Sequence, residues 1–263
     1  MLDFSKTETP AQIQENLITY MRLFANLPGI TMLDADTFWC VCHRGAPGDG
    51  ILRAHWPEAG VEERIDHLLN EIGQITEEIG WMVFPNDRPA DLGARLKARG
   101  LPEGRAGIWL WADLTQLPPA PGVPDGFHIE KVQDDAGMAA WVQISEAGFG
   151  GELLWFYDAY ARHGYGPEAL SLHYIGYLGD TPVTSGTLLD AGGCASIYDV
   201  STPQALRGQG FGSAITHFLM TQIRQRGYAS TWIWSSDQGK SVYQKLGYVE
   251  ADFGIREYPW RKG

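Results

Sequence analysis

Between an apolar strand-like run and an amphipathic stretch, the chain reads Arg207-Gly208-Gln209-Gly210-Phe211-Gly212-Ser213. Glycine admits positive φ and lets main-chain N–H groups approach a ligand with no side chain between them. With the positive end of a following helix dipole, such donors form an anion site suited to a pyrophosphate. Arg207 adds a positive charge beside it. Two other phosphate-binding patterns fail. A dinucleotide fingerprint needs glycine where Ser213 stands and an early βαβ unit. A P-loop ending at Gly239-Lys240-Ser241 needs glycine where Trp234 stands. A glycine turn with no ligand is the plain alternative.

The pattern that fits is R-x-x-G-x-G, met by Arg207, Gly210 and Gly212. In this the chain resembles the GNAT superfamily of N-acetyltransferases. The preceding Tyr198-Asp199-Val200-Ser201-Thr202-Pro203 is similar to that family's pantetheine-binding strand. Downstream, Ser236 and then Ser241-Val242-Tyr243-Gln244-Lys245-Leu246-Gly247-Tyr248 resemble its second signature, a tyrosine on a short helix before a Leu-Gly-aromatic turn. The resemblance covers Phe127 to Tyr258, and the first half only in the order of its elements.

The resemblance implies a mixed α/β GNAT-like fold and an enzyme in which an amine attacks the thioester of acetyl-CoA, or another acyl-CoA, directly and without a metal. Backbone groups of Val200 and Thr202 would pair with pantetheine. Arg207, Gly208, Gln209, Gly210, Gly212 and Ser213 would hold the diphosphate, and Ser236 joins the cofactor contacts. A backbone N–H near the splayed strand would polarise the thioester carbonyl. Tyr243 would protonate the departing thiolate, and Asp199 or Glu146 would take the amine's proton through water. The competing reading is a non-catalytic acyl-CoA-binding or sensory module, which has no need of an acid at Tyr243. A longer acyl-CoA or an aminoacyl donor is a third. Phe149, Trp155, Phe156, Tyr157 and Tyr160, beside Gly148, Gly150 and Gly151, suggest a mobile loop whose aromatic faces meet a cationic acceptor. Trp155 and Phe156 are also candidate core residues.

Periodicity supplies the elements that must position these groups. In the second half it predicts a strand over 127–132, helices over 135–147 and 152–163, and a hairpin turning at Gly179-Asp180. A strand over 195–200 leads into the glycine loop. The helix over 213–225 has Ile215, Phe218, Leu219 and Ile223 inward and Gly227 as its cap. A strand over 231–234, a helix over 240–246 and a last strand over 248–257 follow.

Pro118, Pro119, Pro121 and Pro124 with Gly122 and Gly126 mark residues 116–126 as a stiff linker. The expected domains are 1–115 and 127–263. In the first, Thr9-Pro10 and Gln12 form a capping box for a helix running to about Asn26. Strand-like segments at 32–41 and 51–56, joined by a turn at 45–50, precede a helix over 62–79. A strand over 81–84, a helix over 89–99 and a strand over 108–111 complete it. Lys97-Ala98-Arg99-Gly100-Leu101 stands where Gln244-Lys245-Leu246-Gly247-Tyr248 stands in the second half, as tandem duplication would leave it. The segment at the first half's own loop position, Pro57-Glu58-Ala59-Gly60-Val61-Glu62-Glu63, has one glycine and three acids. It cannot cradle a pyrophosphate, so the first domain is expected to be a degenerate GNAT-like repeat that shapes the acceptor pocket or buttresses the fold.

The chain has 263 residues, is 44% hydrophobic and carries a formal net charge of −12. Such a charge repels nucleic acid and anionic lipid and favours a small-molecule or peptide amine. No apolar run approaches the roughly 20 residues of a membrane span. Asp3, Lys6 and Glu8 do not form a secretory signal, so a cytoplasmic location is the default. A homodimer is compatible with these features. Cys40 and Cys42 lie too close on one strand to bridge. With His43 they form only a fragment of a metal site, and buried reduced thiols are expected.

Overall fold

The computed structural model describes residues 9–42 and 48–263. His43, residues 45–47 of the 45–50 turn and the N-terminal Asp3, Lys6 and Glu8 lie outside the described residues. The Thr9 hydroxyl accepts the Gln12 N–H at 3.3 Å and Gln12 Oε1 accepts the Thr9 N–H at 2.8 Å, so the capping box starts helix α1 (Pro10–Arg22) as expected. The helix stops short of Asn26, which adopts φ 65° in the turn that follows. The 32–41 segment is not one strand. It folds back between β1 (Ile30–Asp34) and β2 (Thr37–Cys42), where the Ala35 N–H donates to the Thr37 carbonyl. Then come β3 (Gly50–Ala54), α2 (Val61–Ile72), β4 (Glu78–Val83), α3 (Leu92–Ala98), β5 (Gly104–Arg105) and β6 (Ile108–Asp113).

The second half continues with β7 (Phe127–Lys131), α4 (Asp135–Phe149), α5 (Leu154–Ala161), β8 (Ser171–Leu178), β9 (Thr181–Ala191) and β10 (Cys194–Ser201). After the glycine loop come α6 (Phe211–Gln225), β11 (Ser230–Ser235), α7 (Asp237–Lys245), β12 (Val249–Glu250) and β13 (Arg256–Arg261). The single last strand expected over 248–257 is therefore two strands. Asp252 Oδ1 accepts the Gly254 N–H at 2.8 Å and Gly254 turns at φ 76°, a side-chain-closed turn that ends the first strand.

Two compact units result, one of residues 108–251 and one of residues 9–107 with 252–263. Their sheets run β12-β6-β11-β10-β9-β8-β7 and β1-β2-β3-β4-β13-β5. Each sheet is antiparallel except at one junction, β10 with β11 and β3 with β4, where a helix crosses over. Each also receives one strand from the other half of the sequence, β6 beside β11 and β13 beside β4. The two orders therefore correspond strand for strand around the parallel pair.

In the unit of residues 108–251, α6 lays Ile215, Leu219, Met220 and Ile223 on Leu188, Ile197 and Ile233. Each such side chain contributes about 1.5–3 kcal/mol. In the other unit, Ile65, Leu68 and Ile72 of α2 meet Ile51 and Trp81. The three cysteines are buried and form no disulfide, and burial, with Cys42 and Asp49 nearby, pushes the Cys40 thiol up to about 12. Among the described residues no group of three His, Cys, Asp or Glu side chains is placed to hold a metal ion. No helix among them is long and apolar enough to cross a membrane.

On β8, His173 lies buried against Trp141 and Tyr160, with Nδ1 2.9 Å from Thr187 Oγ1 and Nε2 3.2 Å from Ser171 Oγ. Burial first, then the charges of Lys131 and His163, push it down to about 3. The unfolded chain takes up this proton near pH 6.5, whereas the folded unit refuses it until about pH 3. Stability from the neutral ring is thus complete above the unfolded value and is lost as pH falls. Between pH 7 and 5 the ring should account for a loss of about 2 kcal/mol. Denaturant titrations at the two pH values should show His173→Gln losing correspondingly less. An identical loss in both proteins would refute the assignment.

Candidate active site

β10 and β11 pair at one position, Ser196 opposite Trp232, and then part. On its other edge β10 follows β9 to Tyr198, slips through a bulge and rejoins at Ser201 opposite Ser185. Asp199 sits in that bulge at φ 52°, a conformation that non-glycine residues seldom adopt. Val200 and Thr202 flank the opening, and the Thr184 hydroxyl donates to the Ser201 carbonyl at 2.7 Å. Against this edge α4 comes very close. A Cβ on Gly148 would stand 1.9 Å from Ser201 Oγ and 3.0 Å from the Thr202 nitrogen. Only glycine fits there, a requirement hidden in a sequence where Gly148 looks like part of a flexible loop.

The chain then makes a short 3-10 turn at Gln204–Leu206 and enters the glycine loop, with Gly208 at φ 80° and Gly210 at φ 90°. Helix α6 begins two residues earlier than expected, and Gly210 caps it without a side chain. The first N–H groups of α6 have no helical acceptor and no capping side chain. A Cβ on Gly208 would meet nothing within 4 Å, so that side of the loop is open. At Gly210 a Cβ would come 2.7 Å from the Gly122 carbonyl oxygen. The Pro/Gly segment is therefore no free linker at this point. Its Pro118 carbonyl also accepts from His217 Nε2 of α6 at 2.8 Å.

Arg207 donates through Nε to the Thr202 carbonyl (3.1 Å), through Nη2 to the Gly148 carbonyl (2.8 Å) and through Nη1 to Gln238 Oε1 (3.3 Å). It ties the ends of α4 and β10 to α7 while keeping its charge beside the loop. Gln209 is exposed and Ser213 half-buried in the first turn of α6. The Ser236 hydroxyl accepts the Gly239 N–H at 3.2 Å, so it caps α7.

Tyr243 projects from α7, half-buried, with its ring edge-on to Tyr248 at 5.8 Å. Burial pushes its phenol up to about 12, and the Asp199 charge adds to the shift. The opening thus brings an acidic and a phenolic side chain into each other's field. Glu146 stands differently. Its Oε1 accepts the Leu153 N–H at 2.6 Å and closes the loop between α4 and α5. Of the aromatics expected around an acceptor, Trp155, Phe156 and Tyr160 are core, Tyr157 is half-buried and Phe149 is 52% exposed. The Tyr160 hydroxyl donates to Asp199 Oδ2 at 2.6 Å across 39 positions of sequence, a bond that no local pattern announces.

The corresponding opening in the other unit is closed. Beyond Ile51 opposite Trp81, the Arg88 N–H donates to the Ala54 carbonyl at 2.8 Å and the Trp56 N–H to the Arg88 carbonyl at 3.2 Å. Asp87 fills the space and accepts from the N–H groups of Phe84 and Ala54 and from Gln14 Nε2. Burial pushes its carboxyl up to about 6. The α2 start carries Glu62 and Glu63. After α3 the Leu101 N–H donates to the Leu96 carbonyl, as the Tyr248 N–H does to the Tyr243 carbonyl. Leu96 therefore occupies the place of Tyr243 and has no proton to give.

Residues 181–258 match the family model described as FR47-like protein. A stretch of 71 residues, 27% of the chain, is 30% identical to the uncharacterized N-acetyltransferase ycf52 of Pyropia yezoensis and spans 41% of that protein's length. Among solved structures, a GCN5-related N-acetyltransferase from Kribbella flavida superposes with a TM-score of 0.65 at 15% identity, over 96% of this chain and 95% of that one. One from Sphaerobacter thermophilus gives 0.59 at 16% identity, covering 93% and 84%. A tandem GNAT protein from the clavulanic acid biosynthesis pathway gives 0.59 at 12% identity, covering 97% and 94%. At these identities the structural likeness speaks for the fold.

Proposed function

We propose, from the match of residues 181–258 to the FR47-like family model and the stretch shared with an N-acetyltransferase, that the chain is a GNAT-superfamily enzyme that transfers an acetyl group from acetyl-CoA to a primary amine of a small molecule or peptide. One observation carries the reading. Asp199 and Tyr243 face each other's field where β10 and β11 part, next to a glycine loop that opens an uncapped helix. The open side of Gly208 and the free amides of the first α6 turn suit a diphosphate, and the Arg207 charge adds to its attraction. The diverging edge at Val200 and Thr202 suits the extended, amide-bearing pantetheine arm. A bulge N–H aimed at the thioester oxygen would stabilise the tetrahedral intermediate by roughly 3–4 kcal/mol.

In the proposed reaction the neutral amine attacks: its lone pair forms the C–N bond while Asp199 accepts, through water, the proton that the nitrogen gives up. The C–S bond breaks with its electron pair on sulfur, and Tyr243 protonates that sulfur. The proton held by Asp199 then returns to the phenolate, so the enzyme ends unchanged. Asp199 suits the base better than Glu146, because its charge acts on Tyr243 at the opening, whereas Glu146 closes the loop between α4 and α5. The unit whose opening is filled by Asp87, and which has Leu96 at the place of Tyr243, is assigned no transfer chemistry. The test is release of free thiol from acetyl-CoA across a panel of amines. Amine-dependent release supports the reading, whereas tight acetyl-CoA binding with no release from any amine would assign a sensory module.

A further inference from the structure

We propose that Tyr160 is a positioning residue for this reaction, holding the Asp199 carboxylate at the parting of β10 and β11. The inference rests on the reading of the opening as an acyl-transfer site. Asp199 is held at φ 52° in the bulge, and such a conformation persists only where its surroundings over-determine it. The Tyr160 hydroxyl donates to Oδ2 at 2.6 Å, within the short range of bonds to an ionised acceptor.

The donor itself has little freedom. Tyr160 is fully buried, its ring centroid lies 4.1 Å from that of His173, and it meets Trp141 edge-on at 5.4 Å and Phe156 at 5.4 Å. Contacts with three rings fix where the hydroxyl stands, and the hydroxyl bears on Asp199. A neutral donor has a further property. It favours the charged carboxylate without itself adding a counter-charge. Tyr198 on its own strand and Tyr243 from α7 stand in the field of Asp199, and His173 stands behind Tyr160.

Tyr160→Phe in the full chain removes one oxygen and keeps the ring contacts. With the hydroxyl gone, the carboxylate loses both its anchor and a donor that favoured its charged form. Turnover of acetyl-CoA with the best amine should fall about tenfold or more, with KM for acetyl-CoA within about twofold. The acidic limb of the rate profile should move up by about one pH unit. A carboxyl signal assigned to Asp199 by carbon NMR should titrate upward by a similar amount, a readout that needs no turnover. Because Tyr160 acts through Asp199, combining Tyr160→Phe with Asp199→Asn should cost no more than Asp199→Asn alone.

Full activity of Tyr160→Phe with an unmoved acidic limb would overturn the proposal, as would losses that multiply in the double variant. If Asp199→Asn keeps the full rate, Asp199 is not the base and the role of Tyr160 falls with it, while the transferase reading stands. If the unsubstituted chain releases no thiol from any amine, both fall.

Discussion

The Gly210→Asp variant is expected to lose all thermal protection by acetyl-CoA, a drop in affinity of about a hundredfold or more. Three effects act in the same direction. Position 210 has φ 90°, which an aspartate adopts at a cost. Its Cβ would fall 2.7 Å from the Gly122 carbonyl oxygen, so the loop or the overlying segment must move. Its carboxylate would also bring a negative charge to the helix N-terminus that is to hold the diphosphate. A companion pair separates charge from distortion. Gly208 has φ 80° with open space on its Cβ side. Asparagine and aspartate tolerate that backbone comparably, so Gly208→Asp should weaken binding far more than Gly208→Asn. Equal losses in the pair would point to backbone strain alone, and unchanged protection in Gly210→Asp would remove the loop from the cofactor site.

Tyr243→Phe is expected to lower kcat about a hundredfold, at the lower end of what general acid catalysis contributes, with KM for acetyl-CoA within about twofold. The physical reason is the phenol's retained proton. Burial and the Asp199 charge push it up to about 12, so it is protonated throughout the working pH range. Removing only the oxygen leaves the ring packed against Tyr248 and the Tyr243 carbonyl still accepting the Tyr248 N–H. A distinguishing control is an acyl donor with a more acidic leaving thiol, which departs without protonation. The deficit should narrow with that donor. A deficit of equal size with both donors would mean that Tyr243 shapes the site instead of supplying a proton.

Much of the candidate site's local structure was legible because it is local in sequence. The run from Tyr198 to Ser213 places the bulged strand, the glycine loop and the helix start within one continuous segment, and the signature at Ser241–Tyr248 sets the tyrosine on its helix. The groups that complete the site were not legible, because they meet through the tertiary fold. Gly148 is required by the backbone of Thr202, Tyr160 bonds Asp199 from another helix, and Arg207 spends its donors on Thr202, Gly148 and Gln238.

Strand periodicity met a similar limit in the sheets. It marks β6 as a strand and reaches only the first two residues of β13, and a period of two cannot say which sheet accepts either; each joins the sheet of the opposite half. The hairpin inside 32–41 was hidden for a related reason. Ala35 and Asp36 carry no glycine or proline to announce the turn.

The central claim is that one loop, at Arg207–Ser213, grips the diphosphate of a CoA thioester. A calorimetric titration of the full chain with acetyl-CoA tests it most directly. The account predicts saturation at one equivalent per chain, since the other unit closes its opening with Asp87 and Arg88 and carries Glu62 and Glu63 at its helix start. Saturation at two equivalents, or the absence of any saturable heat, would contradict it.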